Sequence, residues 1–232
     1  MPPADPPALI TVLAGVNGAG KSSILGARVR ELGGDYINLD EFTRELLAAN
    51  PGLSGREANQ IAWESGREAL AGAIAERRDL ALETTLGGRT ITGLLQGALE
   101  QGLRVNMAYV GLDGPELHIA RVTARVALGG HDIESGRIRL RYTKSRQNLV
   151  RLIPRLSHLR VYDNSAEADL GGGQAPEPLL VLETREGRII RSCAIEVVPD
   201  WAKPVVEAAL RLEPGGEGAG RPASAQAALR RP

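Results

Sequence analysis

Gly15-Val16-Asn17-Gly18-Ala19-Gly20-Lys21-Ser22 fits G-x-x-x-x-G-K-[ST], and each residue type in it suits a loop that wraps a phosphate. Glycines let backbone N–H groups converge on phosphate oxygens where a Cβ would stand in the way. Lys21 is placed to reach β- and γ-phosphates, and the Ser22 hydroxyl to ligate Mg²⁺. The flanks agree with this reading. Leu9 to Ala14 (Leu-Ile-Thr-Val-Leu-Ala) reads as a buried strand entering the loop. Ser22 to Leu32 reads as a helix leaving it, with its positive end aimed at the phosphates. Strand, loop and helix in this order predict a nucleoside triphosphate site around Gly15, Asn17, Gly18, Ala19, Gly20, Lys21 and Ser22. The competing reading is a glycine turn with a surface lysine.

Working outward, strand-like and helix-like segments alternate as far as about Asn164. Strands are expected at Leu9–Ala14, Tyr36–Leu39, Leu80–Glu83, Val105–Val110 and Leu159–Tyr162. Helices are expected at Ser22–Leu32, Glu41–Ala49, Arg56–Arg78, Thr90–Gln101, Glu116–Leu128 and Ser135–Ser157. The third helix has a capping-box start, Ser54-x-x-Glu57. Such alternation predicts an α/β fold: a three-layer P-loop arrangement whose mostly parallel sheet is flanked by helices. Ligands of such sheets sit at the carboxyl ends of strands, so catalytic residues are sought there. Beyond the core (9–168), residues 169–177 read as a Gly-rich linker. Residues 178–212 read as a β-hairpin and a short helix. Residues 1–8 and the Gly-, Ala- and Pro-rich stretch 213–232 read as disordered.

The chain has 232 residues, with 28 Lys+Arg against 28 Asp+Glu. Nothing in that balance points to nucleic acid or an acidic membrane. A single cysteine, Cys193, allows no intrachain disulfide, which suits a reducing cytoplasm. The start has no basic, apolar signal pattern, and no stretch approaches the roughly 18 apolar residues of a membrane span.

The charge is unevenly placed. Arg121 to Arg160 holds ten Lys/Arg opposed only by Asp132 and Glu134, a segment of +8 in a neutral chain. Most of these cations read equally well as a solvated helix face. A few would form a lid, at about 121–157, that neutralises a moving phosphoryl group. Gly129-Gly130-His131-Asp132 is the expected hinge of that lid, and His131 stands open between a substrate contact and a surface loop residue. Asp40 follows a strand and reads either as a helix cap or as the general base that takes a proton from an acceptor hydroxyl. Glu83 ends the strand Leu80–Glu83 and could hold a Mg²⁺-bound water or a substrate hydroxyl. Thr85 and Arg89 are weaker substrate candidates. His118, His158 and Cys193 carry no signal.

Taken in order, these pieces resemble the zeta-toxin family of P-loop kinases, in the branch of predicted ATPases. The matching residues are Gly15 to Ser23, Ile37 to Phe42, Leu82 to Thr85, Arg125 to Ile133, Ile138 to Leu149, and Tyr162 to Ser165. The resemblance implies an ATP·Mg²⁺-dependent kinase, with Ser23 joining the phosphate site. Characterised zeta toxins phosphorylate the sugar 3′-hydroxyl of UDP-N-acetylglucosamine, and an antitoxin partner blocks their ATP site. Carried over by motif, Lys21 and Ser22 bind phosphates and metal, Asp40 is the base, Glu83 contacts substrate, and Arg125 and Arg141 are the lid arginines. The chain departs from the pattern at Asn38, where the family usually has a further aspartate, and at its Gly129-Gly130-His131 lid. An ATP-hydrolysing switch is one alternative. A kinase of nucleic-acid hydroxyls is another, disfavoured because aromatic residues make up only 3% of the chain and stacking platforms are scarce.

Overall fold

The computed structural model describes residues 7–26, 36–130, 132–166 and 176–213. Seven strands form one sheet: β1 (Leu9–Ala14), β2 (Tyr36–Ile37), β3 (Leu80–Thr84), β4 (Arg104–Gly111), β5 (His158–Asp163), β6 (Leu179–Arg185) and β7 (Arg188–Ser192). Their order is β2-β3-β1-β4-β5-β6-β7. The first five are parallel, while β6 and β7 run antiparallel. Ile10, Val12, Leu13 and Ala14 of β1 are fully buried, as are Val105, Tyr109 and Val110 of β4. Burial on both faces is what a parallel sheet covered by helices requires, and it explains the near-continuous apolar runs.

The helices are α1 (Leu39–Ala49), α2 (Gly55–Ala75), α3 (Arg89–Glu100), α4 (Pro115–Ala127), α5 (Ser135–Leu152) and α6 (Lys203–Leu210). Apart from the helix expected at Ser22–Leu32, the expected elements have counterparts, with ends displaced by up to six residues. The predicted strand Tyr36–Leu39 stops at Ile37, because Asn38 caps a helix that already begins at Leu39. The capping box of α2 forms as its sequence predicts, with Ser54 and Glu57 bonded reciprocally. The predicted helix Ser135–Ser157 ends at Leu152, and Pro154 lies in a tighter 3₁₀ turn, Ile153–Arg155; its ring cannot continue an α-helix. After the phosphate loop the chain makes a wide helical turn, Ser22–Gly26. The remainder of the helix expected to Leu32, most of the linker 169–177, and residues 214–232 lie outside the described residues.

The C-terminal hairpin joins the core sheet. β6 pairs with β5, Leu182 opposite Val161 and Thr184 opposite Leu159, and it is covered on both faces, with Val181 and Leu182 both in the main core. α6 follows and packs on α5. In the turn before it, Asp200–Ala202, Trp201 is buried to 2% exposure. Its ring fills the place where a side chain on Gly111 would stand: a Cβ there would lie 2.4 Å from the Trp201 ring carbon Cη2. Among the described residues no helix is long and apolar enough to cross a membrane.

Gly111→Ala forces a methyl group into a rigid buried indole. Overpacking of this kind costs about 1–3 kcal/mol, and urea unfolding of the variant is expected to show a loss in that range.

Candidate active site

The phosphate loop leaves the carboxyl end of β1, the middle one of the five parallel strands, where the chain order of the sheet reverses. Its shape requires glycine. Gly15, Gly18 and Gly20 have φ of 144°, 81° and 86°. A Cβ on Gly15 would lie 2.2 Å from the Val110 carbonyl oxygen, one on Gly18 2.7 Å from that of His118, and one on Gly20 2.6 Å from Asn164 Nδ2. The loop is thus closely backed by β4, α4 and the end of β5, leaving its other side to a ligand. Ser23 is exposed in the turn that follows.

Glu83 organises the floor of the site. It sits one strand over, level with Leu13 of β1, and is only 7% exposed. Its Oε1 lies 3.4 Å from Lys21 Nζ, itself 6% exposed. Its Oε2 accepts hydrogen bonds from Ser22 Oγ at 2.8 Å, Tyr36 OH at 3.1 Å and Asn38 Nδ2 at 3.4 Å. A hydroxyl and a carboxylate side by side at the end of the phosphate loop are the hard oxygen donors that Mg²⁺ takes, directly or through water. Both residue types and positions fit the metal. The glycine cradle and Lys21 likewise fit a triphosphate. Glu83 therefore stands on the phosphate-loop side of the site, in contact with Lys21 and Ser22.

Asn38 is the residue that sequence reading undervalued. Its Oδ1 accepts from the backbone N–H groups of Asp40 and Glu41 at 3.1 and 3.2 Å. It therefore takes the capping role considered for Asp40, and its Nδ2 ties that cap to Glu83. Asp40 itself is exposed in the first turn of α1 and lines the cavity beside the loop.

That cavity has a volume of about 630 Å³. Asn17, Lys21 and Glu83 form its floor, Asp40 and Thr43 one side, and Thr85, Gly87 and Thr90 another. α2 contributes Arg56, Asn59, Gln60 and Trp63, one face of a helix at i, i+3, i+4 and i+7. α5 contributes Arg137, Leu140 and Arg141 in the same manner. Trp63 and Leu140, 42% and 60% exposed, are large apolar side chains open to solvent at this one cavity.

The basic segment resolves into distinct jobs. Arg141 donates from Nη1 to Asn17 Oδ1 at 2.7 Å, bridging α5 to the phosphate loop. Burial pulls its guanidinium below the ordinary value, and the Asp40 charge opposes that effect. Arg139 forms a bidentate pair with Glu116, and Arg155 binds Glu100. Arg125, expected beside Arg141, lies in the last turn of α4. Its side chain packs where a Gly130 Cβ would fall, 2.7 Å from Cγ, and it is not among the residues lining the cavity. Arg137 is the other arginine of this basic segment that lines the cavity. Arg89 is exposed at the start of α3 and is also absent from the lining. His131 lies outside the described residues; its neighbour Asp132 reaches the cavity.

His118, passed over in the sequence, is 1% exposed and touches the loop: its Nδ1 is 2.9 Å from the Asn17 carbonyl oxygen. A carbonyl only accepts, so Nδ1 carries the proton and donates. Burial, helped by Lys21, Arg121 and Arg146, pushes its pKa down to about 4, and the Asn17 hydrogen bond only partly offsets this.

The arrangement of loop, carboxylates and cavity can be compared with known proteins. A family model described as Zeta toxin matches residues 2–170. The chain belongs to the Zeta toxin family. It is thus a P-loop kinase by family, and its sheet and phosphate loop are those of that fold. An uncharacterized protein of Haemophilus influenzae is 30% identical over 135 residues, 55% of this zeta-toxin chain and 88% of its own length. A chain of the AvrRxo1-ORF1:AvrRxo1-ORF2 complex with sulphate ions superposes with a TM-score of 0.57 at 16% identity, covering 79% of this chain and 60% of that one. The same complex with ATP gives 0.58 at 16% identity, covering 92% and 66%. Likeness at this identity shows a shared fold, and the chain spans less than two thirds of those two chains' length.

The depressed pKa of His118 has a pH signature. The unfolded imidazole takes its proton near 6.5, the folded one near 4. Between those values the unfolded state binds more protons, so the His118 contribution is complete above pH 6.5 and is lost as pH falls toward 4. Urea unfolding free energies measured from pH 4 to 7 should fall more steeply with acid in wild type than in His118→Gln, by up to roughly 3 kcal/mol across the window.

Proposed function

We propose that the chain is an ATP- and Mg²⁺-dependent kinase that transfers the γ-phosphoryl group to a hydroxyl of a small molecule held in the 630 Å³ cavity. The observation that carries this reading is the convergence of Asp40, Lys21 and Arg141 on that one cavity. Lys21 and the loop N–H groups hold the β- and γ-phosphates. Arg141, anchored through Asn17, faces the charge that spreads over the transferred group. Ser22 and Glu83 would hold Mg²⁺, which when bound neutralises charge between the β- and γ-oxygens. Asp40, exposed and unburdened by the capping role that Asn38 takes, accepts the acceptor's hydroxyl proton. The acceptor oxygen then bonds to the γ-phosphorus as the bond to the β–γ bridging oxygen breaks, leaving ADP.

The cavity walls favour an acceptor with a flat face and its own negative charge. Trp63 and Leu140 offer apolar surface, and Arg56 and Arg137 offer cations in addition to Lys21 and Arg141. A nucleotide sugar such as UDP-N-acetylglucosamine meets both requirements and suits the family. An antitoxin is the protein partner this reading expects, consistent with AvrRxo1-ORF1 having been crystallised in complex with AvrRxo1-ORF2. A cytoplasmic location fits both ATP and such an acceptor.

The test is mass spectrometry of products after incubation with ATP, Mg²⁺ and UDP-N-acetylglucosamine. A gain of one phosphoryl group on the sugar nucleotide is expected. Loss of a general base costs roughly 10²- to 10⁴-fold, so Asp40→Asn should drop turnover by that order while binding ATP normally; undiminished turnover would remove Asp40 from the role. Trp63→Ala should raise the acceptor KM and leave ATP affinity alone. ATP consumed with no acceptor modified, across nucleotide sugars and nucleosides, would favour a hydrolysing switch.

A further inference from the structure

Two carbonyls of the phosphate loop are tied from behind. His118 Nδ1–H donates to the Asn17 oxygen, and Asn164 Nδ2 donates to the Ala19 oxygen, both at 2.9 Å. In a trans peptide, the carbonyl of one residue and the N–H of the next point opposite ways, and no peptide here is cis. Holding Asn17 O and Ala19 O to the rear therefore turns the N–H groups of Gly18 and Gly20 to the front. Neither N–H finds an acceptor among the described residues, so both stand ready for phosphate oxygens.

Both tethers lead back to one residue, Trp201, through its indole on one route and its main-chain carbonyl on the other, and it lies beyond the residues matched by the family model. The Trp201 indole N–H donates to Asp163 Oδ1 at 2.7 Å. Asp163 immediately precedes Asn164, whose own N–H is fixed to the Gly111 carbonyl at 3.0 Å, directly under the Trp201 ring. On the other route, Arg146 Nη1 donates to the Trp201 carbonyl at 3.4 Å. The Arg146 guanidinium lies 4.0 Å over the Tyr142 ring, and Tyr142 meets the His118 ring edge-on at 5.7 Å. Trp201 thus stands at the root of two packed routes ending on the two loop carbonyls.

We infer that Trp201 is a positioning residue of the nucleotide site: the C-terminal element sets the phosphate loop in its donating form through the Asp163–Asn164 and Arg146–Tyr142–His118 contacts. This rests on the reading of the loop as an ATP site. ATP affinity then depends on an element that touches no phosphate.

The experiment compares full-length wild type, Trp201→Phe, Asp163→Ala, Asn164→Ala and Val205→Ala by calorimetric titration with ATP·Mg²⁺, with thermal melting alongside. Phenylalanine keeps a ring against Tyr109 and Gly111 and removes the N–H; Asp163→Ala removes the acceptor and keeps the indole. Val205 is buried in the same C-terminal element and is the control for lost stability alone. Trp201→Phe and Asp163→Ala should each weaken ATP binding roughly three- to tenfold, the scale of one lost hydrogen bond. Val205→Ala should melt earlier and bind ATP as wild type does. Trp201→Phe combined with Asn164→Ala should be little weaker than the worse single variant, because both act through one tether. Unchanged affinity in Trp201→Phe and Asp163→Ala overturns the inference. So does an equal loss of affinity in Val205→Ala at matched destabilisation, or full additivity in the double variant. A wild-type protein that binds no ATP would instead refute the nucleotide reading, a distinct result visible in the first titration.

Discussion

The buried carboxylate of Glu83 is the constraint around which the site is built. Four groups from two separate stretches of chain meet it: Lys21 and Ser22 from the loop, then Tyr36 of β2 and Asn38 of the α1 cap just after it. Taking a carboxylate and an ammonium out of water is costly unless each is paired and hydrogen-bonded. Here Glu83 has one oxygen for Lys21 and the other for three donors, so neither charge is left without a partner. The same contacts fix the two-residue strand β2 against β3 and set where α1 begins. The direction in which Asp40 is presented thus follows from satisfying Glu83. A purely apolar core could hold the sheet together, but would not tie the helix that carries Asp40 to the phosphate loop.

The cavity is a product of helix periodicity on two sides. α2 and α5 each turn one stripe of side chains toward it, and the stripes differ in character: polar and aromatic on α2, cationic and aliphatic on α5. The +8 segment is consequently not a uniform basic surface. Arg141 and Arg137 face the site, Arg139 and Arg155 hold neighbouring helices through Glu116 and Glu100, and Arg146 stacks on Tyr142. Solvent-exposed pairs such as Arg139–Glu116 add little stability each, so their service is orientation of α5 more than free energy.

Much of this was legible in the chain. The phosphate loop announces itself because its residue types are dictated locally by backbone geometry. The strands are visible because double-sided burial leaves unbroken apolar runs, and the start of α2 because a capping box is a local four-residue pattern. What was hidden depends on long-range placement. His118 and Asn17 are 101 positions apart, and Trp201 and Asp163 38 apart; no spacing rule connects them. Arg125 and Arg141 look alike in sequence, and only the packing of α4 against the Gly129–Gly130 turn withdraws the first from the cavity wall. Asn38 and Asp40 are both good caps, and the choice between them turned on a two-residue difference in where the helix starts.

The strand order has a consequence for how the molecule forms. β1 is made first, yet its two neighbours in the sheet are β3 and β4, with Ile10 beside Leu80 and Leu9 beside Arg104. Parallel pairings of such long separation close late, because the entropy of a large loop is surrendered before any contact repays it. During synthesis the apolar segment Leu9–Ala14 therefore waits for its first partner until about a third of the chain has been made, and for its second until about half. The phosphate loop waits longer still, because the groups that back it include Val110, His118 and Asn164, so a nascent chain cannot set that loop before most of its sheet exists.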